Sequence, residues 1–128
     1  MPMRLMLVDD NEDDLLFTRL ALQRSGVDYE VFAFERAEEA LALLRNDPAH
    51  GIDTILLDIN MPGLDGFGFL AAFEALPASL NVVVVMLTSS SDPSDQQRAS
   101  LYRSVRGFLI KPLSRVDAAS LSELIRKQ

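Results

Sequence analysis

The chain has 128 residues, no cysteine, 48% hydrophobic residues and a net charge of −7. That length suits one domain with its own core, and the lack of cysteine excludes disulfides, thiolate metal sites and a cysteine nucleophile. The negative charge argues against nucleic acid or an anionic membrane as a partner. With no signal-like amino end and no apolar run near the roughly 20 residues that span a bilayer, we expect one cytoplasmic domain over residues 1–128, without an output domain.

Strand-like runs alternate with helix-like runs along the whole chain. The predicted strands are 4–8, 29–34, 54–57, 82–87 and 107–110. The predicted helices run from an N-cap within 9–14 to 25, then over 36–46, 66–76, 94–104 and 114–127. Strict alternation of strand and helix predicts an α/β fold, with a doubly wound parallel sheet of five strands covered by five helices on its two faces.

Apolar periodicity assigns an inner face to each helix. In the first helix the face expected to pack on the sheet carries Leu16, Phe17, Leu20 and Ala21. Leu15 and Leu22 fall roughly opposite, as either a wider buried stripe or an exposed pair that binds a partner.

The helix at 94–104 is the most polar of the five and therefore the easiest to displace. The residues that it and the following turn are expected to bury are Ala99, Leu101, Tyr102 and Val105. The inner face of the closing helix carries Ala118, Leu121, Leu124 and Ile125, and Lys127 suits its carboxyl end. His50 is expected in a surface loop.

Four strands end in polar residues with related chemistry. The first ends in Asp9 and Asp10, the third in Asp58, the fourth in Thr88 and the last in Lys111. The carboxyl ends of parallel strands meet at one edge of a sheet, where ligands bind. Three crowded carboxylates require a cation among them, and an oxygen-rich site favours a hard ion such as Mg²⁺.

This ordered set of strand ends resembles the receiver domain of two-component response regulators. The phrases that carry the resemblance are Val8-Asp-Asp-Asn-Glu-Asp-Asp14, Leu57-Asp-Ile-Asn-Met-Pro-Gly-Leu-Asp-Gly66, Leu87-Thr-Ser-Ser-Ser91 and Lys111-Pro112. They are most similar to stand-alone receivers that serve phytochrome-type and other histidine kinases. The resemblance implies a flavodoxin-like sheet with strand order 2-1-3-4-5.

The resemblance also implies the chemistry of the site. Asp58 would attack a phosphohistidine and become an aspartyl phosphate. Asp9, Asp10, Asp58 and the backbone carbonyl of Asn60 would hold Mg²⁺. Lys111, aimed by a cis bond to Pro112, would pair with a phosphoryl oxygen.

Further residues match the family's switching and tuning positions. Thr88 would bind the phosphoryl group and draw its loop inward, and Phe108 would then turn inward. Asn60, Ser89 and Ser90 sit where the family tunes the survival of the phosphoryl group. The chain departs from the common pattern at Ser104, where many receivers have glycine, at Phe108, where tyrosine is commoner, and at Ser89, where alanine or glycine is common.

The expected partners are a histidine kinase, phytochrome-type or other, or a phosphotransfer protein. A homodimer through the surface of the fourth helix, last strand and last helix is left open. Two other functions also remain open at this point. One is a phosphatase or phosphotransferase with an aspartyl nucleophile, of the haloacid-dehalogenase kind, although that class has its nucleophile after the first strand. The other is a binding module that does not depend on phosphorylation.

Overall fold

A computed structural model describes residues 2–126 and contains every strand and helix expected from the sequence. The strands are β1 (Met3–Val8), β2 (Tyr29–Phe34), β3 (Thr54–Leu57), β4 (Val83–Thr88) and β5 (Val105–Ile110). The helices are α1 (Glu12–Arg24), α2 (Ala37–Asn46), α3 (Gly66–Glu74), α4 (Pro93–Ser100) and α5 (Arg115–Arg126). A 3₁₀ helix over Pro77–Asn81, which the sequence had not indicated, joins α3 to β4.

All strand pairs are parallel, and the sheet order is β2-β1-β3-β4-β5. The predicted doubly wound, flavodoxin-like fold is therefore confirmed. Successive side chains of a strand point to opposite faces of the sheet. On one face, Met6 and Val8 of β1 belong to a core shared with α2, α3 and α4. On the other face, Leu5 and Leu7 belong to a core shared with α1 and α5. Helices thus cover both faces of the sheet and leave its carboxyl edge free for a site.

The inner face of α1 differs from the predicted one. Leu15, Thr18 and Leu22 are buried, whereas Leu16 and Phe17 are 53% and 57% exposed. The buried stripe passes through a threonine, so apolar residues alone indicated the wrong side of the helix. At about 100° per residue, Leu16 and Phe17 lie well away from this stripe. Of the two alternatives for Leu15 and Leu22, the wider buried stripe is confirmed, because both residues belong to the core, and their assignment to partner binding is wrong.

Two further burial predictions need correction. Leu101 is 84% exposed because α4 ends at Ser100, so the following turn does not continue the helical face. His50 is buried, not in an exposed loop, and its Nδ1 accepts a hydrogen bond of 2.8 Å from the amide of Ile52. The side chains of Leu124 and Ile125, together with Lys127, lie outside what the structure describes.

Ser104 adopts an ordinary backbone conformation despite standing where glycine is common. Between residues 2 and 126, positive φ angles occur only at glycines. The amide and hydroxyl of Ser104 donate to the Glu74 carboxylate at 2.8 and 2.5 Å. Arg103 donates to the Glu74 carbonyl and to Ser79 Oγ. Hydrogen bonds to α3 and the 3₁₀ helix therefore hold this turn without strain.

Tyr29 links β2 to α5, because its hydroxyl donates to the Ala118 carbonyl at 2.5 Å. Burial raises the pKa of Tyr29 above its ordinary value of 10.0. We expect Tyr29→Phe to lower the free energy of unfolding by about 1 kcal/mol at neutral pH. The folded state holds this proton more tightly, so the contribution is complete below pH 10.0 and is lost as pH rises through the raised pKa.

Urea unfolding at neutral pH and above pH 10.0 checks this expectation, with Tyr102→Phe as the matched control. The wild type and the control should lose the Tyr29 contribution at alkaline pH, and the Tyr29→Phe protein should not. Equal alkaline losses in all three proteins would contradict it.

Within residues 2–126, no helix combines the length and the apolar character that a membrane crossing requires.

Candidate functional site

The polar residues predicted at the strand ends meet at the carboxyl edge of the sheet. Backbone hydrogen bonds continue the sheet just past its strands and fix three of these residues. The amide of Asp9 donates a hydrogen bond of 3.0 Å to the carbonyl of Phe34, and the amide of Asp58 donates one of 3.0 Å to the carbonyl of Val8. The amide of Lys111 donates to the carbonyl of Thr88 at 2.8 Å. The positions of these side chains are therefore set by the sheet itself.

Three carboxylates lie together in this site. Oxygens of Asp9, Asp10 and Asp58 are all within 4.8 Å of one another. Asp9 and Asp58 are buried, and Asp10 is exposed. Burial raises the pKa of Asp9, since the charged form loses its hydration, although hydrogen bonds from Lys111 and from the Asn11 amide oppose the rise. This donor set fits a hard divalent cation such as Mg²⁺. Asn60 is exposed two residues beyond Asp58, and its carbonyl as a further ligand stays a prediction.

Lys111 places a positive charge beside two of the crowded carboxylates, those of Asp9 and Asp58, and beside Asp14. Its side chain is 10% exposed, and Nζ lies 2.5 Å from Asp9, 2.9 Å from Asp14 and 3.3 Å from Asp58. Burial alone would lower the pKa of Lys111, but the hydrogen bonds to Asp9 and Asp14 and the charge of Asp58 outweigh burial and raise it. The ammonium is therefore held charged among the acids. The Lys111–Pro112 peptide bond is cis.

Asp14 is a site residue that the sequence analysis did not single out. Its carboxylate accepts a hydrogen bond of 2.9 Å from Lys111 Nζ. The N-cap Asn11 accepts a hydrogen bond of 3.0 Å from the Asp14 amide, which orients the first turn of α1. The sequence signal was the length of the acidic run, but only the fold shows which of these acids the lysine reaches.

Thr88 and the serines after it connect the site to α4. Thr88 is fully buried, and its Oγ1 accepts a hydrogen bond of 3.3 Å from the Ser90 amide. The Ser90 hydroxyl donates to Asp95 on α4 at 2.7 Å and accepts from the Asp92 amide at 3.3 Å. Ser89 is exposed. A movement of Thr88 would therefore be transmitted through Ser90 to the start of α4.

Phe108 lies on β5 in register with Met86 of β4 and is half-buried. It borders a groove of about 240 Å³ between α4 and β5, which is also lined by Gln96 and Ala99. This groove gives the aromatic ring space beside its present position, on the side that faces α4.

A second groove, of about 170 Å³, opens directly beside Lys111. It is lined by Asp14, Phe17, Thr18, Ser89, Lys111 and Pro112. The exposed apolar side chain of α1 at this opening is Phe17, whereas Leu15 and Leu22 are buried. The apolar surface nearest the site is therefore on the opposite side of α1 from the one predicted.

Comparisons with known proteins agree with this geometry. The family model described as the response regulator receiver domain matches residues 5–124. The transcriptional regulatory protein PrrA of Mycobacterium leprae is 32% identical over 126 residues, which are 98% of this chain and 51% of that protein. The chain thus spans about half the length of that curated relative.

Solved structures give the same result for the fold. A two-component response regulator from Cytophaga hutchinsonii superimposes with a TM-score of 0.90 at 24% identity, covering 100% of both chains. The phosphorylated cyanobacterial phytochrome response regulator RcpA superimposes with a TM-score of 0.78 at 30% identity, covering 99% of this chain and 89% of that one.

The family match spans nearly the whole chain and includes every strand end that forms the site. It sets aside a phosphatase of the haloacid-dehalogenase kind, whose nucleophile would follow the first strand. The chain belongs to the response regulator receiver domain family.

Proposed function

We propose that Asp58 accepts a phosphoryl group from the phosphohistidine of a histidine kinase or a phosphotransfer protein, in a reaction that depends on Mg²⁺. The observation that carries this proposal is the position of Asp58, which lies among Asp9, Asp10 and Lys111 at the carboxyl edge of the sheet. Receiver domains are phosphoacceptors rather than enzymes in their own right, and this site contains the groups that such an acceptor needs.

The residues divide the chemistry among them. An oxygen of Asp58 forms a bond to phosphorus as the bond from phosphorus to the histidine nitrogen breaks, which gives an aspartyl phosphate and free histidine. Mg²⁺ held by Asp9, Asp10, Asp58 and the Asn60 carbonyl would neutralise the phosphoryl oxygens. Lys111 would bind a second phosphoryl oxygen, and the hydroxyl of Thr88 would donate to a third. Asn60, Ser89 and Ser90, around the site, would govern the access of water to the phosphoryl group.

Phosphorylation would bias a two-state element between the site and α4. The hydroxyl of Thr88, drawn toward the phosphoryl group, would pull on Ser90, which holds Asp92 and Asp95 at the start of α4. Phe108 would move into the groove that it borders. The surface formed by α4, β5 and α5 would then change its affinity for a partner or for a second copy of the chain.

The exposed face of α1 is the proposed docking surface for the phosphodonor. Leu16 and Phe17 are exposed, and Phe17 lines the same groove as Lys111. An apolar helix pair from a kinase could cover these side chains and bring its histidine to the groove. The similarity to RcpA supports a kinase of the phytochrome type.

Incubation with acetyl phosphate and Mg²⁺, followed by intact-mass measurement, tests the phosphoacceptor proposal. The wild type should gain the mass of one phosphoryl group, and Asp58→Asn should gain none. Asp13→Asn, which removes an exposed acid from the same edge, serves as the control and should be labelled normally. The proposal is rejected if neither acetyl phosphate nor a phosphorylated kinase labels the wild type. Labelling that persists in Asp58→Asn would also reject it.

The docking surface is tested by comparing two donors on one variant. We expect Phe17→Ser to lower the rate of transfer from a phosphorylated phytochrome-type kinase roughly tenfold, the cost of one buried aromatic contact of about 1.4 kcal/mol. Transfer from acetyl phosphate should be unchanged, because the small donor does not need the apolar face. Equal effects on both donors would show that Phe17 acts on the site rather than on docking.

A further inference from the structure

Lys111 has one acceptor that the metal cluster does not include. An ammonium has three hydrogens, and Nζ faces three carboxylates, those of Asp9, Asp14 and Asp58. Asp9 and Asp58 belong to the group of mutually close carboxylates, with Asp10 as its third member. The Asp14 side chain is 35% exposed, whereas those of Asp9 and Asp58 are 8% and 7% exposed. Asp14 therefore holds the lysine from the solvent side of the site.

Hydrogen bonds fix the position of Asp14. The Asn11 amide donates to Asp9 Oδ1 at 3.0 Å, and the Asn11 side chain accepts from the Asp14 amide at 3.0 Å. The Asp14 carboxylate then accepts from Lys111, which also contacts Asp9. These contacts close a ring from the end of β1 through the first turn of α1 and back to the site. Asp14 is thus a preorganised acceptor and not one of several interchangeable surface acids.

A divalent cation and the lysine would compete for the same carboxylates. Cation binding to Asp9 and Asp58 would neutralise two of the three acceptors of the ammonium and bring two cationic groups close together. Asp14 is the acceptor that the lysine can keep when this happens. Without Asp14, the lysine would keep only Asp9 and Asp58 among its present contacts, and these are the carboxylates that the cation needs.

We propose that Asp14 is a positioning residue that holds Lys111 at the edge of the site and thereby frees Asp9 and Asp58 to bind a divalent cation. The proposal rests on the metal site of the proposed function and adds a residue and a role to it. Asp14 acts through the lysine, so its effect on cation binding depends on the presence of Lys111.

Mg²⁺ titration without any phosphodonor tests this role. Binding is followed by the backbone amide signals of Asp10 and Asn60 in ¹H–¹⁵N spectra of wild type, Asp14→Asn, Lys111→Met and the double variant. Asp14→Asn should weaken Mg²⁺ binding roughly fivefold in the wild-type background, as expected for coupled neighbouring charges. In the Lys111→Met background the same change should have little effect, because the competing ammonium is gone.

Two controls make the result decisive. Asp13→Asn removes the same charge from the neighbouring exposed position and should weaken binding far less than Asp14→Asn. Asp14→Ser, a second variant at the same position, should reproduce the dependence on Lys111. If Asp14→Asn weakens binding by the same factor with and without Lys111, Asp14 acts only through its charge and the proposal is overturned. No effect of Asp14→Asn in the wild-type background would also overturn it.

The titration separates this inference from the proposed function. Coupling between Asp14 and Lys111 in a protein that accepts no phosphoryl group would reject the proposed function and support the inference. Normal labelling of Asp58 without coupling between Asp14 and Lys111 would support the proposed function and reject the inference. A wild type that binds no Mg²⁺ would overturn the inference and the metal dependence of the proposed function together.

Discussion

Lys111→Met is expected to lower the free energy of unfolding by about 3 kcal/mol in metal-free buffer, the usual cost of removing one partner from a buried ion pair. The lysine side chain is 10% exposed and contacts Asp9, Asp14 and Asp58. Its removal leaves these carboxylates to repel one another without a cation. Asp58→Asn should not lower stability and should leave it equal to or above that of the wild type, because it removes one of the repelling charges.

Added Mg²⁺ should restore much of the stability that Lys111→Met loses. A cation that binds only the folded state stabilises it by mass action, and the variant lacks the ammonium that competes for the carboxylates of Asp9 and Asp58. Urea unfolding with a chelator and with excess Mg²⁺ measures both effects. Arg106→Met, which removes an exposed cation from β5, the strand that precedes Lys111, is the matched control and should change little. Equal losses for the two variants, or a loss that Mg²⁺ leaves unchanged, would contradict this account.

The loss should also depend on pH. Burial raises the pKa of Asp9 above its ordinary value of 3.8, so the folded state takes up this proton before the unfolded state as pH falls. Protonation of Asp9 in the folded state relieves the repulsion that Lys111 otherwise balances. The difference between wild type and Lys111→Met should therefore be greatest near neutral pH and should shrink as pH falls through the raised pKa of Asp9.

The fold and the central residues of the site were predictable because their signals are local and repeated. Each strand end combines an apolar run with a polar residue, and parallel topology brings these ends together whatever the loops do. The sequence of β4 does not alternate between polar and apolar residues, which is typical of a strand covered on both faces, and all six of its residues are buried. The sequence therefore predicts that one edge of the sheet, the carboxyl edge, carries Asp9, Asp58, Thr88 and Lys111.

What could not be predicted depends on the phase of helices and on long-range contacts. The inner face of α1 passes through Thr18, so apolar counting favoured Leu16 and Phe17, which are exposed. The contact between Asp14 and Lys111 joins residues 97 positions apart. The hydrogen bond from the Ser104 amide to the Glu74 carboxylate joins residues 30 positions apart. It holds the turn at a position where many receivers have glycine. No local pattern in the sequence records either pairing.

Gly66→Ala is expected to have a large effect on both stability and phosphorylation. A methyl group at Gly66 would lie 2.5 Å from the carbonyl oxygen of Asp58 and 2.8 Å from the Cα of Ile59. Both are backbone atoms, so a side-chain rotation cannot relieve the clash. The Gly66 amide also donates to the Ile59 carbonyl at 2.8 Å, which draws the start of α3 onto this segment. We expect a loss of about 2–3 kcal/mol in the free energy of unfolding, as for other overpacked sites.

Gly68→Ala is the matched control within the same helix. A methyl group there would lie 2.6 Å from Leu64 Cδ1, the end of a side chain that can rotate away. Alanine is also favoured over glycine inside a helix by about 1 kcal/mol, so this variant should be neutral or more stable. Urea unfolding measures both stabilities, and acetyl phosphate labelling measures the acceptor site.

The clash at Gly66 should also reach the chemistry, because it can be relieved only by moving the backbone that carries Asp58. A shift of that carboxylate disturbs its alignment with an incoming phosphoryl group, and misplacement by about 1 Å can cost a hundredfold in rate. Gly66→Ala should therefore be labelled far more slowly than Gly68→Ala even under conditions where both are folded. Wild-type stability and labelling in Gly66→Ala would mean that the close approach of α3 to Asp58 does not constrain the acceptor.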